Sequence, residues 1–348
     1  MRAVQLVSHR QMEEVQIAQE RDPGPGEVTV RIRACGICGS DLHWWSEGGV
    51  GAKIAQYPCI LGHEPAGDIA AIGPGVVTHR VGDRVAVEPA LTCGTCEFCR
   101  AGRHNLCTKV VFLSSSGAPG LYREYATIPA RNADPLPDSF SYEQATLVEP
   151  LSVIVHVLEV APITPGDTVA ILGAGSIGML TAALAKHAGA SHVYIADQVP
   201  HRLAMARQMG ADTAVDIKDF TAAVLDGTGG RGADVVIDAA AKHETVHAGF
   251  AVARRGAQFV LVGIPSQRHM PVDLHLAMSK ELRVQTIFRA NQGGHRAIEL
   301  LAAGVVPSVL LTHRLPLSET QEAFELLEAY ADGGVGVEPR RQTGERPT

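Results

Sequence analysis

The order of hydrophobic and polar positions divides the chain into two parts of different character. Before about residue 150, short apolar runs alternate with turns that contain Gly and Pro, such as Asp22–Gly26 and Gly73–Gly75. Such turns end strands and reverse the chain direction, so this part is predicted to be a β-rich, barrel-like unit with long loops. The predicted strands are Val28–Ala34, Ala66–Ile72, Arg84–Val87 and Tyr122–Ile128.

From Thr168 onward, apolar β-branched runs alternate with segments of helical periodicity. Continuous apolar strands alternating with helices predict a parallel sheet that is covered on both faces. The predicted strands are Thr168–Leu172, His192–Ala196, Asp234–Asp238, Gln258–Val262 and Arg283–Phe288. The predicted helices are Ser176–Ala188, Pro200–Met209, His243–Arg254, Gly293–Ala303 and Leu317–Ala329. The polar tail Gly333–Thr348 is expected to be frayed.

Composition narrows the class of protein. The 348 residues, 46% hydrophobic and 19% charged, are typical of a globular protein with two domains. A formal net charge of −7 provides no basic field that would attract nucleic acid or an anionic membrane. The first ten residues lack the apolar core of a signal peptide, and no apolar run reaches the ~18 residues of a membrane span. We therefore expect a cytoplasmic protein with no nucleic-acid or membrane partner.

The cysteines lie in the N-terminal third of the chain. They are Cys35, Cys38, Cys59, Cys93, Cys96, Cys99 and Cys107. Without a secretion signal, such clustering favours thiolate metal ligands over disulfides. The last four lie in one Gly-containing loop and predict a tetrahedral zinc with no open position, which is a structural site. Four reduced, buried cysteines are the alternative, and they would have to cluster by chance.

A second group of candidate ligands is mixed and dispersed. Cys38 lies in Cys38-Gly-Ser-Asp-Leu-His43, and His63 lies in Gly62-His-Glu64. Mixed, separated ligands are expected where a zinc site keeps a position for substrate. Glu64 or Glu149 could supply a carboxylate oxygen. Taken singly, His63 could equally be a satisfied core histidine, and Glu64 could be half of an ordinary ion pair.

A G-x-G-x-x-G motif, Gly173-Ala-Gly-Ser-Ile-Gly178, marks the junction of a predicted strand and a predicted helix. Its glycines permit a tight turn and a close approach of pyrophosphate to the helix N-terminus. Asp197 ends the next strand, where a carboxylate binds the ribose hydroxyls and repels a 2′-phosphate, so NAD is favoured over NADP. The alternative role for Asp197 is to cap the helix near Pro200. The predicted cofactor-binding residues are Gly173, Gly175, Ser176, Ile177, Gly178, Asp197 and Arg202.

Together these motifs resemble the zinc-dependent medium-chain dehydrogenases along nearly the whole chain. The matching segments are Gly36–Asp41, Leu61–Glu64, the four-cysteine loop, Val81–Val85, Gly173–Gly178 and Asp197. Glu149 and the Phe288-Arg289 pair make the sorbitol and xylitol (polyol) dehydrogenases the most similar group. The resemblance implies an α/β protein in which a GroES-like catalytic domain, residues 1–150 and 288–348, is interrupted by a doubly wound Rossmann domain, residues 151–287. We expect a homotetramer or a homodimer.

The resemblance also implies roles for individual residues. Cys38, His63 and Glu64 would hold the catalytic zinc, and Glu149 would bind its water or exchange with it. Ser40 would take the proton from the substrate hydroxyl, and His43 would pass it on through the nicotinamide ribose. Arg289 would orient Glu149 and the outer hydroxyls of the substrate. The sequence departs from the polyol pattern in three places. Trp44 removes a possible hydroxyl contact, Ala290 enlarges the pocket, and the C-terminus lacks the Lys-Val-type final strand that is common in the family.

The implied reaction is the reversible oxidation of a secondary hydroxyl of a sugar alcohol to the ketose, with hydride transfer to NAD. L-Threonine 3-dehydrogenase and L-idonate 5-dehydrogenase share these motifs, and Arg289 could pair with the carboxylate of their substrates. A non-catalytic zinc- and nucleotide-binding protein is disfavoured by the complete set Cys38, Ser40, His43, His63 and Glu64. A nucleic-acid module built on Cys93–Cys107 is disfavoured by the net charge of −7.

Overall fold

The protein is described here by a computed structural model that covers residues 1–51, 53–115, 117–265 and 268–329, with the backbone of Val335–Glu338. The strands are β1 (Arg2–Ser8), β2 (Gln11–Gln16), β3 (Glu27–Gly36), β4 (Gly49–Val50), β5 (Lys53–Ile54), β6 (Glu64–Ile72), β7 (Arg84–Val87), β8 (Ala90–Leu91), β9 (Val111–Phe112), β10 (Tyr125–Pro129), β11 (Ala133–Pro135), β12 (Thr168–Leu172), β13 (His192–Asp197), β14 (Thr213–Asp216), β15 (Ala233–Asp238), β16 (Ala253–Leu261), β17 (Arg283–Thr286), β18 (His313–Pro316) and β19 (Val335–Glu338). The helices are α1 (Gly39–Glu47), α2 (Glu97–Arg100), α3 (Tyr142–Ala145), α4 (Val148–Val160), α5 (Ser176–His187), α6 (Pro200–Gln208), α7 (Ile217–Gly227), α8 (His243–Val252), α9 (Leu274–Ser279), α10 (Gly294–Ala302) and α11 (Thr320–Glu328).

The N-terminal part is built around the long strand β3. Alternate residues Val28, Val30 and Ile32 of this strand are buried, because successive side chains of a strand point to opposite faces. Strand β3 pairs antiparallel with β6, β10 and β19 in a sheet of order β11-β7-β6-β3-β19-β18. The pairing of β3 with β6 runs from Val28↔Ile72 to Gly36↔Glu64, and it therefore fixes the position of the residues at the start of β6.

The second sheet is parallel and has the order β14-β13-β12-β15-β16-β17. In chain order these strands follow the 3-2-1-4-5-6 arrangement of a doubly wound sheet, whose order reverses between β12 and β15. One buried cluster packs α4, α5, α6 and α10 on one face, and another packs α7, α8 and α9 on the other. The prediction of a parallel sheet covered on both faces is confirmed.

Several elements differ from the sequence prediction. The helix predicted to reach Arg254 ends at Val252, because β16 begins at Ala253 and continues to Leu261. The helix α4 and the pair β14–α7 were not predicted. The polar tail from Gly333 was expected to be frayed, but this is wrong for Val335–Glu338, whose backbone forms a strand between β3 and β18 and so satisfies its hydrogen bonds. The rest of that tail lies outside the described residues.

No helix in the described ranges is both long enough and apolar enough to cross a membrane.

Candidate active site and metal centres

Three candidate metal ligands meet where α1 and β6 begin. Cys38 is the N-cap of α1, His63 directly precedes β6, and Glu64 is the first residue of that strand. One ligand atom from each of the three lies within 4.8 Å of the others. His63 and Glu64 are only 4% and 8% exposed. A thiol, an imidazole and a carboxyl group at this separation form a donor set that Zn²⁺ accepts.

The electrostatics of this group also fit a cation. Burial raises the pKa of Glu64 to about 7, and Asp41 adds to this against the opposing effect of His63. Burial likewise raises the pKa of Glu149 to about 7, with a further contribution from Glu64. The pKa of the Cys38 thiol is raised by burial as well. The pKa values of several acidic groups are thus raised because their negative charges would be buried. A divalent cation would supply the positive charge that stabilises their ionised forms.

Two glycines leave room for the ligands. Gly36 faces Glu64 across the β3–β6 pairing, and a Cβ atom on Gly36 would overlap the carboxylate of Glu64. Gly62 has φ +92, and a Cβ atom there would lie 2.7 Å from the ring of Tyr122. Only glycine fits both requirements at Gly62, so the turn that presents His63 depends on it.

Asp41 is a buried partner of His63 that the sequence did not reveal. Its Oδ1 atom lies 3.3 Å from Nδ1 of His63. It also accepts hydrogen bonds from Ser114 Oγ at 2.8 Å and from the Tyr122 hydroxyl at 3.1 Å. Burial alone would raise the pKa of Asp41, but His63 and the hydrogen bonds from Ser114 and Gly62 N hold it below its ordinary value. A carboxylate on Nδ1 orients the ring so that Nε2 faces the ligand group.

Ser40 and His43 lie one turn apart on α1. Ser40 Oγ lies 3.5 Å from His63 Nε2, which places the hydroxyl beside the ligand group. His43 Nδ1 lies 2.8 Å from Glu47 Oε1, so Nε2 is the ring nitrogen that faces away from this pair. Both residues therefore occupy positions from which a proton could pass outward along α1.

Glu149 lies in the first turn of α4. Besides burial, the charges of His63, Glu64 and Asp41 all act on the pKa of its carboxyl group: His63 lowers it, and the two acids raise it. The set of grouped ligand atoms found within the described residues contains Cys38, His63 and Glu64, and Glu149 is outside it. Of the two carboxylates that the sequence left open, Glu64 is thus the one grouped with the sulfur and the imidazole.

The guanidinium group of Arg289 packs against two aromatic rings. Its Cζ atom lies 5.1 Å from the ring centroid of Phe112 and 4.3 Å from that of Phe288. The Phe112 ring in turn lies 5.3 Å from the ring of His63. Among the described residues, Arg289 makes no hydrogen bond to Glu149, and its buried Nη1 atom has no hydrogen-bond partner.

Glu88 is a second residue that the sequence did not reveal. It follows β7, and its side chain accepts a hydrogen bond from Ala90 N at 2.9 Å. Burial raises the pKa of Glu88 to about 8, Glu149 raises it further, and Arg289 opposes the rise. The signal in the sequence was a single acid directly after an apolar strand, which gives no indication of its burial.

The four cysteines of the second centre form a separate group. Their sulfurs lie within 4.8 Å of one another, and all four are free thiols. The Cys93–Cys99 and Cys93–Cys107 sulfur separations of 3.9 and 3.5 Å exceed the ~2.05 Å of a disulfide bond. Backbone N–H groups of Thr95 and Cys96 point at Cys93 Sγ, and they lower the pKa of that thiol to about 5. Burial raises the pKa of Cys99, by contrast, to about 12. A closed tetrad of four sulfurs with a stabilised thiolate fits a structural zinc.

The Gly-rich loop joins β12 to α5 as predicted. Gly173 has φ +96, and a side chain on Gly178 would overlap the carbonyl of Gly173. Gly175 caps α5 without a side-chain hydrogen bond, so the helix N-terminus has backbone N–H groups for an anion. The side chain of Asp197, at the end of β13, accepts hydrogen bonds from Ala174 N at 2.8 Å and Val199 N at 2.9 Å.

The alternative role of Asp197 as a helix cap is not seen. The N-cap of α6 is Val199, and it has no side-chain capping hydrogen bond. Asp197, at the end of the neighbouring strand β13, instead accepts a hydrogen bond from the Gly-rich loop. Arg202 lies on α6.

Comparison with known proteins settles the family. Residues 24–138 match the family model of the alcohol dehydrogenase GroES-like domain, and residues 176–303 match that of the zinc-binding dehydrogenases. The chain belongs to the zinc-dependent medium-chain alcohol dehydrogenases. The predicted resemblance and the predicted pairing of a GroES-like domain with a Rossmann fold are confirmed. The protein is an oxidoreductase that acts on CH–OH groups.

Relatives of this dehydrogenase include enzymes named for sugar alcohols and ketoses. It is 40% identical over 302 residues to sorbitol dehydrogenase of Bacillus subtilis, with 86% of each chain covered. It is 36% identical over 313 residues to D-xylulose reductase A of Aspergillus niger, covering 88% of this chain and 87% of the relative. Galactitol-1-phosphate dehydrogenase from Escherichia coli has a similar structure, with a TM-score of 0.89, 28% identity, and coverage of 97% of this chain and 100% of that one.

Proposed function

We propose that the protein oxidises a secondary hydroxyl of a sugar alcohol of the sorbitol or xylitol type to the ketose, transfers the hydride to NAD, and catalyses the reverse reduction. The proposal is supported chiefly by the polar side chains near the three candidate zinc ligands Cys38, His63 and Glu64. Glu149 and Arg289 are both half-buried at the border of this group. Burial and the charge of Glu64 raise the pKa of Glu149, and Arg289 stacks on Phe112, whose ring lies next to that of His63. The buried Nη1 atom of Arg289 has no hydrogen-bond partner among the described residues. A substrate with several hydroxyls would satisfy such groups, whereas a simple alcohol would leave them unpaired.

Each site residue has a proposed task. Cys38, His63 and Glu64 would hold a zinc ion, which as a Lewis acid lowers the pKa of the substrate hydroxyl. Ser40, beside His63, would take the hydroxyl proton, and His43 would relay it through its free Nε2 atom. Asp41 would keep His63 in the required orientation. Glu149 and Arg289 would orient the substrate through its remaining hydroxyl groups.

The proposed domain division assigns residues 1–150 and 288–348 to catalysis and residues 151–287 to nucleotide binding. It is supported by the two sheets, since β12 to β17 form the parallel sheet and β18 and β19 return to the antiparallel one. The ligand-binding edge of a doubly wound sheet is the carboxyl end of its strands at the point where the order reverses. Gly173–Gly178 follows β12 at this edge, and it would hold the pyrophosphate with Ser176 and Ile177 in the first turn of α5.

A substrate panel tests the reaction. Sorbitol, xylitol and their isomers, with L-threonine and L-idonate, would be offered with NAD, and the reduced cofactor would be followed by absorbance. We expect the best polyol to exceed threonine and idonate by at least about tenfold in kcat/KM, which corresponds to ~1.4 kcal/mol. A faster reaction with threonine or idonate would transfer the proposal to those substrates. No turnover with any alcohol would indicate a binding protein.

The proposed role of Asp197 predicts a change in cofactor preference. Asp197→Ala removes the acceptor for the ribose hydroxyls and the negative charge that repels a 2′-phosphate. The ratio of kcat/KM with NAD to that with NADP is expected to fall about 10- to 100-fold, the range for losing one hydrogen bond to a charged group. Steady-state kinetics with both cofactors measures it. Asp226→Ala is the control, since Asp226 is an exposed carboxylate on α7. An unchanged ratio in Asp197→Ala would contradict the assignment.

We also propose that the protein is a homo-oligomer. All four residues of β17, which ends the parallel sheet, are exposed, and within the described ranges no strand pairs with its outer edge. Exposed apolar side chains occur on this strand, with Val284 52% exposed, and on the preceding helix α9, with Leu274 63% and Met278 79% exposed. An uncovered apolar edge strand is a template for pairing with a second copy.

Val284→Asp is therefore expected to convert the oligomer to a monomer, because a charge would be buried in the contact. Light scattering coupled to size-exclusion chromatography reports the mass directly. Val77→Asp is the matched control, since Val77 is 92% exposed in the N-terminal part of the chain. A wild-type protein that elutes as a monomer would refute the proposal.

A further inference from the structure

Asn105 lies in the four-cysteine loop, and its buried amide connects two other elements. Asn105 is only 7% exposed. Its Nδ2 atom donates to the carbonyl of Phe288 at 3.1 Å and lies 3.3 Å from Nε2 of His156. A carbonyl only accepts, so the amide nitrogen must face Phe288 and the orientation of the amide is determined. Both amide hydrogens therefore have acceptors on different parts of the chain.

His156 extends this connection to the active site. Because Nε2 accepts from Asn105, Nδ1 carries the ring hydrogen, and it lies 3.4 Å from Glu159 Oε2. His156 is on α4, two turns after Glu149 and on the same face of that helix. The amide of Asn105 thus joins the helix that carries Glu149 to the residue before Arg289.

A second pair of hydrogen bonds closes the same contact. Asn291 Nδ2 donates to Gly102 O at 3.0 Å, and Asn291 Oδ1 accepts from Asn105 N at 3.4 Å. The segment Phe288–Asn291, called here the 288–291 segment, is therefore held to the four-cysteine loop at both ends. Arg289 has φ +62, a left-handed conformation that a non-glycine residue adopts only where its surroundings enforce it. The hydrogen bonds of Asn105 and Asn291 are such surroundings.

We propose that Asn105 is a positioning residue that holds the 288–291 segment, and with it Arg289, against the helix that carries Glu149. The four-cysteine loop then does more than stabilise the fold, since it sets the place of the guanidinium group in the substrate pocket. The positioning follows from the hydrogen bonds alone. Its consequence for substrate choice rests on the proposed function, in which Arg289 binds the outer hydroxyls of a polyol.

Hydrogen exchange of the full-length, zinc-loaded protein tests the positioning. In Asn105→Ala, amides in peptides that span residues 286–292 are expected to exchange about tenfold faster, because the segment opens more often. Thr228→Val is the control: in the loop between α7 and β15, its hydroxyl donates to Val224 O at 2.7 Å and accepts from Gly232 N at 2.9 Å. It should leave this exchange unchanged. Equal protection of the segment in Asn105→Ala and wild type would overturn the proposal.

A kinetic cycle tests the consequence. Asn105→Ala is expected to lower kcat/KM for the preferred polyol about tenfold while changing that for 2-butanol less than about twofold, since 2-butanol has no outer hydroxyl to place. In an Arg289→Ala background, Asn105→Ala should no longer change the ratio of the two values. Equal losses on both substrates, or additive effects in the double variant, would show that Asn105 has only a structural role. A wild type without polyol preference would refute the proposed function, and the exchange experiment would still decide the positioning.

Discussion

Replacement of Cys38 by serine is expected to reduce kcat/KM for the polyol at least about a thousandfold, or on the order of 4 kcal/mol of transition-state stabilisation. Serine has nearly the shape of cysteine, but its hydroxyl stays protonated at neutral pH and is a poor zinc ligand. The remaining pair, His63 and Glu64, cannot hold the ion tightly. Zinc content should therefore fall from two ions per chain to one, and the substrate hydroxyl would keep its ordinary pKa.

The fold of the Cys38→Ser protein should remain intact. Cys38 is the N-cap of α1, a position that serine also favours, and no hydrogen bond of the strand pairing β3–β6 depends on its sulfur. Its melting temperature and circular dichroism spectrum should therefore resemble those of the wild type. Cys59→Ser is the control, because Cys59 is a free cysteine outside both ligand groups, and it should retain activity. Full turnover in Cys38→Ser would disprove the assignment of the catalytic ligands.

Replacement of Cys99 by serine is expected to act mainly on stability. The four sulfurs of its centre constrain a loop that contains only short helical turns, α2 and His104–Leu106. Loss of a structural metal belongs to the few single changes that cost about 4 kcal/mol or more. At roughly 2 °C per kcal/mol for a chain of this size, the apparent melting temperature should fall by about 8 °C.

The measurements for Cys99→Ser are thermal denaturation and metal analysis. Zinc should again fall to one ion per chain, but this time turnover should persist at temperatures below the lowered melting point. Because Asn105 lies in the same loop, the preference for polyol over 2-butanol should weaken as well. A variant that melts like wild type and keeps two zinc ions would contradict the structural role of this centre.

The hydrophobic pattern predicted the central strands of the parallel sheet better than it predicted the short strand β14 or the C-terminal strand β19. β12, β13 and β15 are continuous apolar runs, because both of their faces are buried. β14 contains only four residues, Thr213-Ala-Val-Asp216, and so short a run cannot be distinguished from a loop by periodicity. The sequence around Val335–Glu338 is polar and contains glycine, so its pattern does not indicate a strand. Its strand conformation depends on pairing with β3, which lies near the other end of the chain.

The two metal centres were not equally predictable from the sequence, because their ligands differ in how far apart they lie along the chain. The four-cysteine centre lies within fifteen residues of one loop, so spacing alone reveals it. Cys38 and Glu64 are brought together by the register that pairs Gly36 with Glu64, which sequence spacing does not show. The tasks of Asp41, Glu88 and Asn105 depend on burial and on partners distant in the chain. Their residue types alone indicate ordinary surface positions.

The span between Asn105 and Asn291 has a consequence for the order of assembly during synthesis. A nascent chain that has reached Glu149 already contains every candidate metal ligand of both centres. The contact that seats Arg289 joins residues 186 positions apart, and β3 gains its last partner only when Val335–Glu338 has left the ribosome. The ligands of both metal centres are thus synthesised well before the final portion of the polypeptide, which completes the surroundings of Arg289. A truncated product would contain the ligands of both centres but lack the residues that position Arg289 for its proposed substrate.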